Sequence, residues 1–319
     1  TEWYLAESRL EDPTVRPTTI VSTLQSAHAL TYGTWRNQLG DSKLLQRLGE
    51  LHQLEAGDDG VWFRTKNGTA KNTGVFNYRN KFHEYELGYD RPVDTADGRR
   101  YLGVSVSWDK GDADFIHGGA EVKGLGLSLY RTDIRKDGSY LDTVLKAHQY
   151  KNDFHGVDAR EDAFTGKLKN RALSLSGEYG KRFDLEEGLF VEPQAQLTLG
   201  TMSGRDYHTS SGIHVDNGRM YSAIGRLGVN AGMKLDARSR VYAKVNLLHE
   251  FAGSYDNRLT LDGMSVKADN DYRDTWVQYG AGINWNPTAN SQLYVDLEKT
   301  SGGDFTSNWT WNAGMNWRF

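Results

Sequence analysis

From Trp309 to Phe319 every second residue is apolar. Trp309, Trp311, Ala313, Met315, Trp317 and Phe319 share one side, and Thr310, Asn312, Gly314, Asn316 and Arg318 share the other. Side chains of a strand point alternately to opposite faces, so this pattern describes a strand with one apolar and one polar face. The period recurs upstream. Leu189, Val191, Ala195, Leu197 and Leu199 oppose Glu192, Gln194, Gln196 and Thr198. Val241, Ala243, Val245 and Leu247 oppose Tyr242, Lys244 and Asn246, and Leu102, Val104, Val106 and Trp108 oppose Gly103, Ser105, Ser107 and Asp109. After Gly57 the spacing predicts twelve strands, near 61–69, 81–93, 100–109, 119–131, 139–151, 169–183, 189–203, 219–235, 239–252, 273–285, 291–299 and 308–319. Most exceed the ~5–6 residues usual in globular sheets and approach the tilted ~9–11 that a bilayer requires.

A water-soluble sandwich would alternate in the same way. The connections favour a membrane. Short polar turns fall near Asp94–Arg99, Thr132–Gly138, Asp184–Gly188, Asp236–Ser239 and Asn286–Asn290. Longer ones fall near Ala70–Asn80, Lys110–Gly118, Asn152–Leu168, Gly204–Gly218, Gly253–Tyr272 and Thr300–Ser307. Short turns on one side and long loops on the other characterise outer-membrane barrels, and an even strand number brings both barrel ends to the short-turn side. Trp62, Tyr89, Trp108, Tyr130, Trp276, Trp285, Trp309 and Trp317 lie near strand ends and suit interfacial girdles. Mean hydropathy is only -0.66, but a barrel wall needs apolar residues at alternate positions alone.

Before residue 57 the pattern is helical. Pro17 and Thr18 give a start signal, with Thr18 or Thr19 as the cap. Ile20, Leu24, Ala27 and Tyr32 form an uneven apolar stripe as far as Leu39. Such a helix over 18–39 would be ~33 Å long, about one bilayer core. It carries Gln25, His28, Arg36, Asn37 and Gln38, and a charge facing lipid costs at least ~2.5 kcal/mol. A polar lumen would accept it. Gly40-Asp41-Ser42 then breaks the pattern before a second short helix over 43–51. The expected fold class is an all-β membrane protein, a twelve-stranded antiparallel transmembrane β-barrel with an N-terminal α-helix in its lumen. The expected divisions are a linker (1–17), the lumen helix with the second helix (18–56), and the barrel (57–319).

Composition narrows the function. Cysteine is absent, which excludes thiolate chemistry. The 38 basic and 42 acidic residues give a net charge of -4, so nucleic acid is not an expected partner. No secretory signal opens the chain at Thr1, which reads as a mature fragment.

Several stretches resemble one family. Trp3-Tyr4-Leu5 with Pro13 is similar to the end of a passenger's linker. Leu44-Leu45-Gln46-Arg47-Leu48-Gly49-Glu50-Leu51 resembles the Arg-Leu-Gly-Glu box that follows a lumen helix. Glu178-Tyr179-Gly180, with Phe190-Val191-Glu192-Pro193-Gln194-Ala195-Gln196-Leu197, resembles a mid-barrel signature, and Asn316-Trp317-Arg318-Phe319 a terminal-aromatic ending. Together they resemble, over essentially the whole chain, the translocator domain of monomeric autotransporters, type V secretion. The resemblance implies a helix joining an exported passenger to the first strand, insertion in the outer membrane, and secretion and surface display of that passenger. It implies lipid, the passenger, the barrel assembly machinery and periplasmic chaperones as partners, a monomer, no ATP and no cofactor. Arg47, Leu48, Gly49 and Glu50 would be the helix-to-barrel box, and Trp317 and Phe319 part of an insertion signal.

Alternation places Arg64, Lys66, Glu84, Glu86, Glu178, Arg182, Glu192, Gln194, Gln196, Arg226, Lys244, Glu250 and Gln278 inward. The helix would present Ile20, Leu24, His28, Tyr32, Arg36 and Asn37 to them, with His28 and Arg36 pairing with wall carboxylates. The plainer reading is a solvated lumen. Gly103, Gly124, Gly126, Gly180, Gly228 and Gly232 also point inward, either making room for a helix of ~10 Å diameter or marking bulges and corners.

Other functions have weaker support. An outer-membrane hydrolase would draw on the loop residues Asp153, His155, Asp158, Asp206, His208 and His214, but no Gly-x-Ser-x-Gly motif occurs and no enzyme is expected. A diffusion porin would have more strands and no helical head. Asp269–Asp274 matches no calcium-loop spacing, so no metal is expected. Asn37 precedes Gln38 rather than a second Asn, so self-cleavage of the helix is not expected either.

Overall fold

A computed structural model describes residues 18–40, 44 and 59–319. The second helix over 43–51, the box at Arg47, Leu48, Gly49 and Glu50, and the linker at 1–17 lie outside these residues, apart from Leu44. Among the described residues there is one α-helix, α1 (Thr19–Gly40), and twelve long strands. The strands are β1 (Gly60–Asn72), β2 (Tyr78–Thr95), β3 (Gly98–Phe115), β4 (Gly118–Arg135), β5 (Ser139–Val157), β6 (Ala163–Lys181), β7 (Leu189–Gly204), β8 (Arg219–Lys234), β9 (Ser239–Glu250), β10 (Asp274–Thr288), β11 (Ser291–Ser301) and β12 (Phe305–Arg318).

Each strand pairs antiparallel with its chain neighbour, and the ring is closed by β12 on β1, with Val61 opposite Trp317 and Lys66 opposite Asn312. Closure satisfies the backbone groups that an open edge would expose to lipid. The exposed residues form an apolar outer belt, including Leu87, Val104, Leu127, Leu173, Leu197, Leu227, Val245 and Trp311. On β4 the belt residues Leu125, Leu127 and Leu129 lie between the exposed cations Lys123 and Arg131. Those nine residues rise roughly 26 Å along a strand, which a ~40° tilt shortens to roughly 20 Å, somewhat less than the ~25 Å of a lipid belt.

Two readings need correction. Trp62, Tyr130 and Trp276 are buried, not at the lipid interface, whereas Tyr89, Trp108, Trp285, Trp309 and Trp317 are exposed. Trp62 has the same parity as Arg64 and Lys66, so strand geometry sends it inward. Its Nε1 donates to the Tyr130 hydroxyl at 2.6 Å, which donates to Asp90 at 2.9 Å.

The long loops are also fewer than the sequence suggested. β3 continues through Phe115, and only Ile116–His117 separate it from β4. β5 and β6 likewise leave just 158–162 between them. Above the lipid the outward positions become Lys110, Asp112 and Asp114, so the apolar signal vanishes while the strand goes on. The true long connections, 205–218 and 251–273, fold into a separate four-stranded sheet ordered 264–271, 254–261, 214–217, 207–208.

The inward glycines mostly accommodate the wall itself. A Cβ on Gly180 would come 2.5 Å from the Tyr140 ring, and one on Gly103 would strike Tyr130. Gly124, Gly126, Gly228 and Gly232 face Asp109, His148, Asn246 and Phe190 in the same way. The glycines that make room for the helix are others: a Cβ on Gly156 would come 2.7 Å from Thr23, and one on Gly200 2.6 Å from Trp35.

Candidate functional site

The helix begins where the sequence said. Thr18 Oγ1 accepts from the Val21 backbone N–H at 3.3 Å, an N-cap bond. α1 is then buried on nearly every side, from Val21 and Leu24 to Trp35 and Leu39. A helix with polar residues all round cannot rest on one apolar face. It is held instead by polar contacts from a wall that encircles it.

The contacts run down its length. Near the N-terminus, Gln25 Nε2 donates to Asn257 Oδ1 at 3.0 Å, and Asn270 Nδ2 donates to Gln25 Oε1 at 2.9 Å. His28 lies between the hydroxyls of Tyr207 (3.2 Å) and Tyr255 (2.9 Å). One turn on, Asn152 of β5 donates to the Ala27 carbonyl at 2.9 Å and to Thr31 Oγ1 at 3.0 Å. Tyr32 stacks on Tyr272 at 4.5 Å and donates to Glu250 at 3.2 Å. Glu250 is fully buried and also accepts from Ser222 and from the backbone of Ala223 and Ala252. Arg36 pairs with Asp274 at 3.4 Å, and Gln38 donates to Asp109 at 2.5 Å. Leu44 N donates to Glu178 at 3.1 Å.

Of the two helix residues expected to pair with the inward wall carboxylates, Arg36 pairs instead with Asp274, and His28 meets the hydroxyls of Tyr207 and Tyr255. His28 sits level with the loop sheet, where Tyr207 and Tyr255 are the available partners. Arg36 reaches a residue at the loop end of β10 rather than one of the mid-wall acids. Of the remaining helix residues singled out, Leu24 is buried, Ile20 is half-buried, and Asn37 is half-buried beside a cavity of about 40 Å³. That cavity, bordered by Arg36, Lys66, Gln278 and Glu298, has room for a few water molecules.

All thirteen wall residues expected inward, Arg64, Lys66, Glu84, Glu86, Glu178, Arg182, Glu192, Gln194, Gln196, Arg226, Lys244, Glu250 and Gln278, are buried. Their charges are paired across strands more than solvated. Arg64 meets Glu86 at 2.7 Å, Arg226 meets Glu178 at 3.1 Å, and Lys244 meets Asp296 at 2.8 Å and Glu298 at 3.0 Å. Lys66 stands opposite Glu84 in the register, and Gln194 donates to Glu192 at 2.7 Å. Arg318 pairs with Asp90 across the seam. Asp90, Asp296 and Glu298 were missed from the sequence, although each lies on the polar side of its strand, and Asp109, placed on a polar face, was not counted among the inward charges; Asp296 and Glu298 alternate with the outward Val295 and Leu297. Tyr207, Tyr255 and Asp274 had no such signal, since loop residues follow no fixed parity.

The loop acids and histidines do not converge on one centre. Asp153 pairs with Lys151 at 2.8 Å, His214 with Asp216 at 2.9 Å, and His208 packs on His214 at 4.5 Å. Asp269 and Asp271 pair with Lys267 and Arg273. Outside the lumen, in the turn after β4, the Ser139 hydroxyl and N–H together with Lys181 hold the Asp137 carboxyl below the usual carboxylate range.

A closed twelve-stranded barrel, apolar outside and filled by its own N-terminal helix, defines a class: an outer-membrane translocator-type barrel. The family model described as "Autotransporter beta-domain" matches residues 61–298, and the chain belongs to that family. It is 30% identical over 278 residues to the pertactin autotransporter of Bordetella parapertussis, covering 85% of this chain and 30% of that one. It is 30% identical over 291 residues to the BrkA autotransporter of Bordetella pertussis, covering 88% of this chain and 28% of that one. The chain thus spans under a third of the length of these relatives. Among solved structures, the β domain of the Bordetella autotransporter BrkA is similar with a TM-score of 0.70 at 27% identity, covering 82% of this chain and 100% of that one. The translocator domain of NalP from Neisseria meningitidis has the same fold, with a TM-score of 0.74 at 12% identity over 93% of this chain and 98% of that one. The protein is an outer-membrane β-barrel with its loop sheet at the cell surface.

Proposed function

We propose that this barrel is the translocator through which an N-terminal passenger of the same polypeptide reaches the cell surface, and that it performs no chemistry itself. One observation carries the reading: the direction of α1. Its first turns touch the surface-loop sheet through Gln25 and His28, and Leu44 touches Glu178 lower in the wall. The barrel's own ends, Gly60 opposite Arg318, lie on the short-turn side. The N-terminal end of α1 at Thr19 thus faces the surface loops, and its C-terminal end lies toward the side on which β1 begins. A porin has no use for a helix so directed. The barrel assembly machinery and periplasmic chaperones are the partners that insertion of such a barrel would require, and a closed seam leaves no strand edge in the barrel wall for a second copy.

The test is a reporter domain fused ahead of Thr1 behind a secretory signal. External protease should remove the reporter from intact cells while leaving the barrel in the membrane. A reporter that stays protected until the outer membrane is broken, with a normally inserted barrel, would overturn the reading.

A further inference from the structure

The outer wall carries a charge asymmetry that translocation does not use. On the short-turn side, three cations at the edge of the apolar belt are neutralised within the chain: Arg91 by Asp59 at 2.9 Å, Arg131 by Asp133 at 2.7 Å and Lys181 by Asp137 at 3.2 Å. On the surface side the belt also ends in exposed cations: Lys110 after Trp108, Lys123 before Leu125, Arg171 before Leu173 and Arg219 before Tyr221. Here the register sets like charges directly opposite one another. Lys110 faces Lys123, Lys123 faces Lys151, and Lys151 faces Lys169. Like charges directly opposite across antiparallel strands are destabilising. Glu121 and Asp153 offset this for the first three: Glu121 pairs with Lys123 and, at 3.4 Å, with Lys110, and Asp153 lies 2.8 Å from Lys151. Lys169, Arg171 and Arg219 have no carboxylate partner among the described residues.

Beneath those three lies an open groove of about 600 Å³ on the lipid-facing wall. Val106, Leu125, Leu127 and Leu173 form its apolar part, and Arg171 and Arg219 border it. Arg171 and Arg219 both stand opposite Ser203, so they are two strands apart. That is roughly 10 Å between backbones, a gap two extended guanidinium arms can close on one phosphate. Lys169 is the next outward residue on β6, ~7 Å along the strand.

We propose that this face of the barrel is a binding site for the lipid A part of lipopolysaccharide, with an acyl chain in the groove and its phosphates on Arg171, Arg219 and Lys169. The chemistry fits on three counts. The groove is apolar where the acyl chains of the leaflet lie. Arginine forks bind phosphate bidentately. The cations spread over neighbouring strands and match a rigid headgroup with more than one phosphate better than a single phosphodiester.

The test is native mass spectrometry of the barrel extracted from outer membranes in mild detergent, with added lipid A, dephosphorylated lipid A or phosphatidylglycerol. The native barrel should retain lipid A in preference to the other two. Arg171→Gln with Arg219→Gln should lower that retention about tenfold, the effect of losing ~1.4 kcal/mol. Lys181→Gln, which removes a cation from the opposite rim, should leave it unchanged. Folding is checked by the heat-dependent shift in gel mobility, and the two single variants replace the double one if it does not fold. Equal retention by native and variant barrels, an equal loss with Lys181→Gln, or equal retention of dephosphorylated lipid A or phosphatidylglycerol would each overturn the proposal.

Discussion

The guanidinium of Arg36, near the end of the helix, lies 3.7 Å from the centre of the Trp276 ring while its Nη2 meets Asp274 at 3.4 Å. One side chain thus joins helix and wall by both a cation–π contact and an ion pair. Desolvated contacts of this kind are worth ~2 kcal/mol or more.

The plug should be measurable as resistance to current. Deleting 18–39 should raise single-channel conductance several-fold in planar bilayers, because the wall buries α1 along nearly its whole length and removing the helix opens the ring. Arg36→Ala should raise the frequency of brief openings with little change in the fully closed level. Conductance identical to the intact barrel after the deletion would mean that α1 does not seal the lumen.

Lys244 neutralises two buried acids, Asp296 and Glu298. Lys244→Met should destabilise the barrel by about 3–5 kcal/mol, the usual consequence of leaving buried charge uncompensated. Adding Asp296→Asn and Glu298→Gln to the same chain should restore most of the loss. Thermal unfolding in detergent, followed by gel mobility, distinguishes the two variants.

Gly180 presents bare backbone to the Tyr140 ring, which a Cβ would approach to 2.5 Å. Gly180→Ala should therefore cost about 1–3 kcal/mol by overpacking. Gly177→Ala, three residues earlier on the same strand and with open space at its Cβ, should be neutral or slightly stabilising. Unfolding midpoints that rank the two variants the other way would refute this account of the inward glycines.

Phe319 contributes little to the finished barrel. Its N–H donates to the Asp59 carbonyl at 3.0 Å, and its exposed ring packs on Trp317 at 5.4 Å. Deleting it should lower outer-membrane levels several-fold while moving the unfolding midpoint of the assembled protein by only a few degrees. Normal levels in the membrane would count against a role for the terminal aromatic in insertion.

The wall was legible because its rule is strict. Once Trp309 and Trp311 are placed outward, parity places Asn312, Asn316 and Arg318 inward, and the closing strand follows. Parity failed only where it was set aside: Trp62 was assigned to lipid for being aromatic, although Arg64 and Lys66 fixed its side. Strand lengths were less legible, because Asp112 and Asp114 rise above the bilayer and lose the apolar signal while keeping the backbone. The helix was legible as an element but not in its partners. His28 meets Tyr207 and Tyr255 from two separate surface loops, and only the folded loop sheet brings those together.

The ring has a further kinetic consequence. Eleven of its twelve seams join neighbours in the chain, and one joins Gly60 to Arg318. Sequential hairpins have low loop-closure cost, whereas the last seam joins opposite ends of the barrel chain. That seam is a clasp around a thread. Once it is fastened, whatever lies inside can leave only along the barrel axis, so an open clasp is the one stage at which a sideways exit exists.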